Sequence, residues 1–170
     1  MSSTNRDELI GQMGMAMRSF MAHAVLYQDA VARWAGLHAT DLQCAGLLLL
    51  EGPMTPSELA ARTGLTAGGA VTAVIDRLER AGLATRTRDE IDRRRVHIVP
   101  NAEALLARVG PVYARIGTRW GDYLEGLSND QIALATDVLN HAAALNREEV
   151  DWLRTAARPD DAIPRPSRGR

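Results

Sequence analysis

The sequence predicts a mainly α-helical protein that carries one small β-hairpin. Long stretches repeat apolar residues every three or four positions, which is the period of an amphipathic helix. Only the segments 83–87 and 95–99 alternate apolar and polar residues as strands do. Capping-box sequences at 55–58 and 128–131 mark two helix starts, because a Ser or Thr is followed three residues later by Glu or Gln.

Composition is that of an ordinary soluble domain. Of the 170 residues, 46% are hydrophobic and 24% are charged, and the net charge is −1. Because the net charge is close to zero, binding of nucleic acid would depend on a local cluster of positive charge. The chain contains arginine but no lysine, and the planar guanidinium suits phosphate and guanine edges. No signal peptide or membrane-spanning apolar run is recognisable, so we expect a cytoplasmic protein.

The first predicted helix, 6–34, carries an apolar stripe along one face. A helix this long, placed before a compact core, often packs on a helix of a partner chain. Residues 36–37 break the pattern, and a second helix begins near His38 or Thr40. That helix is apolar almost all round, so we expect it to be buried at the centre. Residues 51–53 end it.

Residues 55–100 carry the most informative pattern. Thr55 caps a short helix over 56–62, Gly64 makes a turn, and Thr66 caps a second helix that runs to about Arg80. The two strands follow, joined by a charged loop. Two short helices across a tight turn, followed by a basic hairpin, predict a winged helix-turn-helix. This architecture favours DNA as the partner.

Two helices complete the chain. The first covers 102–124, and we expect a bend at Gly110-Pro111 because proline removes a helical hydrogen bond. The second runs from the capping box at 128–131 to about Ala156. The Pro- and Arg-rich tail from Arg158 is expected to be mobile.

Several segments in this order resemble the MarR family of bacterial transcription regulators over roughly residues 6–152. They are TPSELA at 55–60, GAVT at 69–72, DRLERAGL at 76–83 and DEIDRR at 89–94. The resemblance implies a homodimer whose first and last two helices intertwine, with one winged helix-turn-helix in each subunit. It also implies a cleft for a small, usually aromatic or phenolic, ligand that weakens DNA binding, and repression as the commoner outcome.

The resemblance and the element order together predict the domain organisation. The DNA partner is expected to be a double-stranded, pseudo-palindromic operator with half-sites about one helical turn apart. The predicted regions are an N-terminal dimerisation helix at 1–36, a winged helix-turn-helix lobe at 37–100, C-terminal dimerisation helices at 101–157 and a flexible tail at 158–170.

Candidate DNA-binding residues fall on the recognition helix and the wing. Many family members carry a basic residue where this chain has Ala73, and some pair an acidic residue at position 67 with the arginine matching Arg94. Direct base readout therefore looks thin, and DNA shape and the wing are expected to carry more of the specificity. The wing acids Asp89 and Asp92 are expected to pair with Arg77 or Arg88. The candidates are Ser57, Arg62, Thr66, Ala67, Gly68, Gly69, Thr72, Arg77, Arg88, Arg93, Arg94 and Arg95.

Candidate ligand-binding residues are aromatic or able to hold a charge. Arg86 is expected to meet a carboxylate, and aromatic rings are expected to sandwich a ring. For Trp34 and Trp120 we favour packing in the core or at an interface. The ligand candidates are His23, Tyr27, His38, Arg86 and Tyr113.

Other chemistries find little support in the sequence. The single cysteine, Cys44, excludes an internal disulfide, and among leucines we expect it to be inert, although a redox switch stays an alternative. The four histidines show no metal-ligand spacing, and no catalytic motif is present, so we expect no metal, no cofactor and no enzyme. A second alternative is a winged helix that binds another protein instead of DNA.

Overall fold

The computed structural model describes residues 3–66, 68–89 and 91–156. The predicted tail at 158–170 and Ala67 lie outside these residues. The described part contains six helices and one two-stranded hairpin, which confirms the predicted fold class. The elements are α1 Ser3–Trp34, α2 Ala39–Glu51, α3 Pro56–Thr63, α4 Gly69–Arg80, β1 Ala84–Arg88, β2 Val96–Pro100, α5 Ala102–Leu124 and α6 Asn129–Thr155.

The chain divides into two compact units between Ile116 and Gly117, inside α5. The first unit contains the hydrophobic core, to which α1 contributes only near its C-terminal end. Helices α2, α3 and α4, both strands and the start of α5 supply the rest. The largest fully buried side chains are Leu48, Leu59, Ile75, Leu78, Leu83, Ile98, Leu105 and Val31, together with Cys44.

The start of α3 and the turn after it follow the sequence prediction. The Thr55 hydroxyl accepts a hydrogen bond from the Glu58 backbone N–H, and the Glu58 carboxylate accepts one from the Thr55 backbone N–H at 2.8 Å. After α3, Gly64 adopts a left-handed conformation with φ +72°, which glycine reaches without steric cost. Local chemistry therefore determines the first half of the helix-turn-helix.

The start of α4 differs from the prediction. The helix begins at Gly69 with Gly68 as its N-cap, whose carbonyl accepts the first helical hydrogen bond from Thr72. Thr66 is therefore not the cap. Gly68 has φ +107° and ψ −118°, a conformation that residues with a Cβ rarely adopt. The glycine pair delays the helix start and leaves it without a side-chain cap.

The hairpin is antiparallel and its register runs from Ala84 opposite Pro100 to Arg88 opposite Val96. Both strands begin one residue later than predicted. The Leu83 N–H donates to the Leu78 carbonyl at the end of α4, and the Arg95 N–H donates to the Asp92 carbonyl in the wing turn. Met54 adds a one-residue bridge to Ile98, which the sequence prediction missed. This bridge ties the segment before α3 to the base of the wing.

Helix α2 is less buried than predicted. Leu42, Ala45 and Leu48 are buried, but Leu49 is 38% exposed and Leu50 is 84% exposed. The expectation that α2 is buried at the centre holds for one face of the helix, because only that face packs against the core of this chain.

The second unit contains the end of α5 and all of α6. The predicted capping box is present, with Gln131 N–H donating to the Ser128 hydroxyl and the Ser128 N–H donating to the Gln131 side chain. Pro111 lies inside α5, in the first unit, and the bend expected there stays a prediction. No helix among the described residues is long and apolar enough to cross a membrane.

Candidate nucleic-acid interface

The first turns of α4 present small side chains to solvent. Gly68, Gly69, Thr72 and Ala73 are exposed, while the opposite face of the helix is buried in the core. Thr66 is exposed just before the turn. The backbone of this helix start can therefore approach a partner closely, because no long side chain stands in front of it.

The two candidates on α3 differ in their surroundings. Ser57 is exposed in the first turn of α3, next to the Thr55 cap. Arg62 lies at the other end of the helix, and its guanidinium is 2.7 Å from a Glu51 carboxylate oxygen. A phosphate contact by Arg62 would have to compete with that ion pair.

Backbone hydrogen bonds to two aspartates shape the wing turn. The Asp89 carboxylate accepts from the N–H groups of Ile91 and Asp92, each at 2.8 Å, and the Asp92 carboxylate accepts from the Arg94 N–H at 3.1 Å. The N–H groups of Asp92 and Ile91 lower the pKa of Asp89. His97 contributes to the same effect, since its Nε2 lies 3.2 Å from the Asp89 Oδ2.

The predicted ion pairs of these aspartates with Arg77 or Arg88 are therefore wrong. The acids act as local turn caps, because the backbone donors of the turn lie closer than any guanidinium. One consequence is that the wing cations are left for other partners. Arg88, Arg93, Arg94 and Arg95 are all exposed, and within the described residues none of the four forms an ion pair.

A partly buried ion pair joins α2 to α4. Arg77 donates three hydrogen bonds to the Asp41 carboxylate, the shortest from Nη2 to Oδ1 at 2.6 Å. The Asp41 side chain is 3% exposed and that of Arg77 is 30% exposed. Arg77 was predicted to contact DNA, and that role stays a prediction. A DNA contact by Arg77 would have to compete with Asp41 for the guanidinium. An acid in the first turn of an otherwise apolar helix was the sequence signal for this pair.

Arg86 on β1 is held by two acids of α4. Its guanidinium donates to Asp76 at 2.6 Å and to Glu79, and its backbone N–H donates to Glu79 at 2.8 Å. The Asp76 hydrogen bond is the main reason that the pKa of Arg86 is raised. These contacts fix the wing to the recognition helix.

A cavity of about 810 Å³ lies in the first unit between α1, α2 and α5. Of the five predicted ligand residues, only Tyr113 lines it. Tyr27 packs edge-on against Tyr113 with 6.0 Å between ring centroids. His23 bonds to the Ser19 carbonyl on exposed α1, and His38 is exposed before α2.

The sequence prediction missed the polar residues that do line this cavity. They are Gln28 and Asp29 on α1 and Gln43 on α2. The Tyr113 hydroxyl donates to the Gln28 side-chain oxygen at 2.9 Å. The available signal was the three- and four-residue spacing of cavity-lining positions 39, 42, 43, 46 and 49 on α2.

The tryptophans singled out in the sequence are exposed in the single chain. Trp34 is 62% exposed at the end of α1, and Trp120 is 51% exposed on α5. Trp120 stacks edge-on with Tyr123. The favoured packing role for these residues therefore requires a surface outside this chain.

Comparison with known proteins places the chain in a family. The MarR family model matches residues 35–95. A protein of Bacillus subtilis (strain 168), the uncharacterized HTH-type transcriptional regulator YcgE, is 36% identical over 155 residues, which cover 91% of this chain and 99% of that protein. The chain belongs to the MarR family. MarR-family proteins are DNA-binding transcription regulators and not enzymes.

Solved structures share the fold of this MarR-family protein. Streptococcus pneumoniae FabT in complex with DNA superposes with a TM-score of 0.60 at 20% identity, over 82% of this chain and 98% of that chain. NadR in complex with 4-hydroxyphenylacetate superposes with a TM-score of 0.55 at 22% identity, over 77% of this chain and 92% of that chain. At these identities the likeness concerns the fold alone.

The buried cysteine of this MarR-family protein is not set up for redox chemistry. Cys44 is fully buried, and burial, with a contribution from Asp41, raises its pKa to about 11. Reactive cysteines need exposure and a lowered pKa. Among the described residues, no cluster of three or more His, Cys, Asp or Glu side chains could hold a metal ion.

Proposed function

We propose that this MarR-family protein is a homodimeric repressor that binds a pseudo-palindromic operator in double-stranded DNA and is released by a small molecule. The observation that carries the DNA part is the pairing of an exposed, small-residue helix start at Gly68–Thr72 with a wing of unpaired arginines. FabT, which shares the fold, was solved in complex with DNA.

The start of α4 fits the major groove. The groove admits an α-helix, and a helix N-terminus offers backbone N–H groups and a positive dipole end to phosphates. The buried face of α4, with Val71, Val74 and Ile75, holds the helix rigidly against the core. Thr66 and Thr72 are the hydroxyl groups placed to reach base edges or phosphates.

The wing supplies the positive charge. Arg93, Arg94 and Arg95 are exposed and form no ion pair in the described part of the chain, since Asp89 and Asp92 are used by the turn. The Glu58 carboxylate interacts with Arg95 only through a longer-range attraction. Guanidinium groups suit minor-groove edges and phosphates. Because this charge is local, a net charge of −1 over the whole chain does not oppose DNA binding.

The homodimer is supported by apolar surface that a single chain leaves uncovered. Helix α6 has 27 residues and buries none of them fully. On α1, the first residue of the core is Val31. Exposed apolar side chains on this scale mark an interface, and two-fold pairing is the commonest way to cover them. Leu139, Leu145, Val150, Trp152 and Leu153 on α6, and Leu9, Ile10, Met13 and Phe20 on α1, are exposed in the single chain.

Release by a small molecule is supported by the position of α2. One face of this helix lines the cavity through Leu42, Gln43 and Gly46, while its buried Asp41 holds Arg77 of α4. A ligand that displaces α2 therefore displaces the recognition helix as well. The neighbour NadR was solved with the phenolic compound 4-hydroxyphenylacetate. Arg86 is left out of the proposed ligand site because Asp76 and Glu79 hold it.

The test uses the operator. Genomic fragments retained by the purified protein are selected, and the affinity for the selected site is measured by fluorescence anisotropy at several salt concentrations. We expect half-sites about 10 base pairs apart. Replacing Arg93, Arg94 and Arg95 together by alanine should reduce the slope of log affinity against log salt by about 2 to 3, since each phosphate contact contributes about 0.9.

Arg108→Ala is the matched control, because it removes an exposed arginine of α5 and should leave the slope unchanged. Failure to retain any DNA in a salt-sensitive manner would contradict the proposal. An unchanged affinity in the triple variant would instead remove the wing from the interface and favour the alternative, a winged helix that binds another protein.

A further inference from the structure

The cavity between α1, α2 and α5 has a lining that is almost wholly uncharged. Ten of its fourteen described lining residues are alanine, valine, leucine or glycine. Its volume of about 810 Å³ lies within the usual range of small-molecule sites. The lining contains no arginine, histidine or lysine among these fourteen residues.

Of the four polar lining residues, Gln43 offers a complete amide to a ligand, and Gln28 offers its N–H groups. Tyr113 already donates to Gln28 at 2.9 Å. Asp29 is paired with Arg33 at 2.5 Å, and the Arg33 side chain is 71% exposed. Gln43 makes no side-chain hydrogen bond among the described residues, so it offers both donors and an acceptor.

An anionic ligand would meet an unfavourable environment here. The cavity is partly open to solvent, since Val25, Gln43 and Leu106 of its lining are exposed. A carboxylate that enters far enough to lose its hydration finds no cationic partner there, and the charged lining residue is itself an acid, Asp29. Arg86, the arginine that the sequence suggested for a ligand carboxylate, is bound to Asp76 and Glu79 and does not line the cavity. An uncharged molecule avoids this loss and gains the burial of its apolar surface.

We propose that this cavity binds an uncharged, mainly apolar molecule with one hydrogen-bonding group for Gln43, and that it discriminates against aromatic carboxylates. The proposal rests on the proposed small-molecule response and specifies the chemical class of the effector. Position 43 provides the test of specificity, since an arginine there would supply the cation that the lining lacks.

The experiment compares two probes of equal shape, 1-naphthylacetamide and 1-naphthylacetate, the second of which is ionised at neutral pH. Binding to the full-length, DNA-free protein is measured by calorimetry. The amide should bind at least about tenfold more tightly than the acetate, a difference of about 1.4 kcal/mol. Gln43→Arg should reverse or abolish this preference. Gln12→Arg, which adds the same charge at an exposed position of α1 outside the lining, should preserve it.

A second variant tests the location. A Cβ at Gly46 would meet no atom within 4 Å, so Gly46→Phe should fill the cavity and remove amide binding while circular dichroism stays unchanged. If that variant misfolds, the charge variant Gln43→Arg still decides the question, because it alters an exposed side chain.

Several outcomes would overturn the proposal. These are equal affinity for the two probes, no binding of either, or a Gln43→Arg preference equal to that of wild type. A change from dimer to monomer in Gly46→Phe would identify the cavity as a subunit contact and would also overturn it. Operator release is measured separately: an amide that binds as described without releasing DNA contradicts the proposed repressor response and leaves the ligand class intact.

Discussion

Replacing Asp41 by asparagine tests the ion pair that joins α2 to the recognition helix. The substitution keeps the shape of the side chain and removes its charge. It also replaces one of the two oxygens that accept from Arg77 with a donor group. The guanidinium then faces a donor in a site where the carboxylate was 3% exposed.

The magnitude follows from the burial of the two partners. Removing one member of a buried ion pair costs about 3 to 5 kcal/mol of folding free energy. Arg77 is 30% exposed and can recover some hydration, and asparagine still accepts one hydrogen bond. We therefore expect a loss of about 2 to 3 kcal/mol. For a chain of this size the melting temperature should fall by about 4 to 12 °C.

The assay is urea unfolding at a fixed protein concentration, since dimerisation makes stability concentration-dependent. The matched control is Asp29→Asn, which breaks the exposed pair with Arg33 and should cost about 0 to 1 kcal/mol. An apolar replacement of both partners, Asp41→Leu with Arg77→Met, should recover much of the loss. The reasoning is refuted if Asp41→Asn is no less stable than the control.

Three further predictions concern local features. Cys44 should not react with a thiol reagent in the native protein at neutral pH, and fast labelling by Ellman's reagent without denaturant would contradict this. The free energy of unfolding should fall as the pH rises from the pKa of the unfolded thiol, about 8.5, to that of the native thiol, about 11, because only the native state retains the proton in this range. Gly82→Ala should destabilise the protein by about 1 kcal/mol because Gly82 has φ +69°, whereas Gly46→Ala inside α2 should stabilise it. If both variants shift the melting temperature in the same direction, the argument from backbone conformation is excluded. The wing turn should loosen as the pH falls through the lowered pKa of Asp89, since the Asp89 carboxylate stabilises the turn fully only above the pKa that this group has in the unfolded chain. If the amides of Ile91 and Asp92 are equally protected from hydrogen exchange in Asp89→Ala, the carboxylate does not hold the turn.

Some parts of the candidate interface were predictable from adjacent residues. The Thr55 cap, the Gly64 turn and the end of α4 at Gly82 depend on interactions within a few positions of the chain. The exposed wing arginines follow from the same logic, since an uninterrupted polar loop has nowhere to be buried. These signals were sufficient for the fold class and for the family resemblance.

Other parts depended on which charged groups meet in space. Asp41 and Arg77 are 36 positions apart, and Arg86 meets acids 7 and 10 positions away. With 20 basic and 21 acidic residues in the chain, periodicity offers no reason to choose these pairs. The assignment of Arg86 to a ligand carboxylate and of Asp89 to an arginine illustrates this limit.

The sequence alone determined the order of helices and strands, their caps and turns, and the location of positive charge on the wing, because these properties arise from short-range backbone chemistry and hydrophobic period. Only the tertiary structure decided that Asp41 holds Arg77, that Asp76 and Glu79 hold Arg86, and that a cavity without cationic side chains opens beside α2. Those features depend on packing between segments that are distant in the sequence. There, burial decides which charged side chains pair, although the local sequence would permit many other pairs.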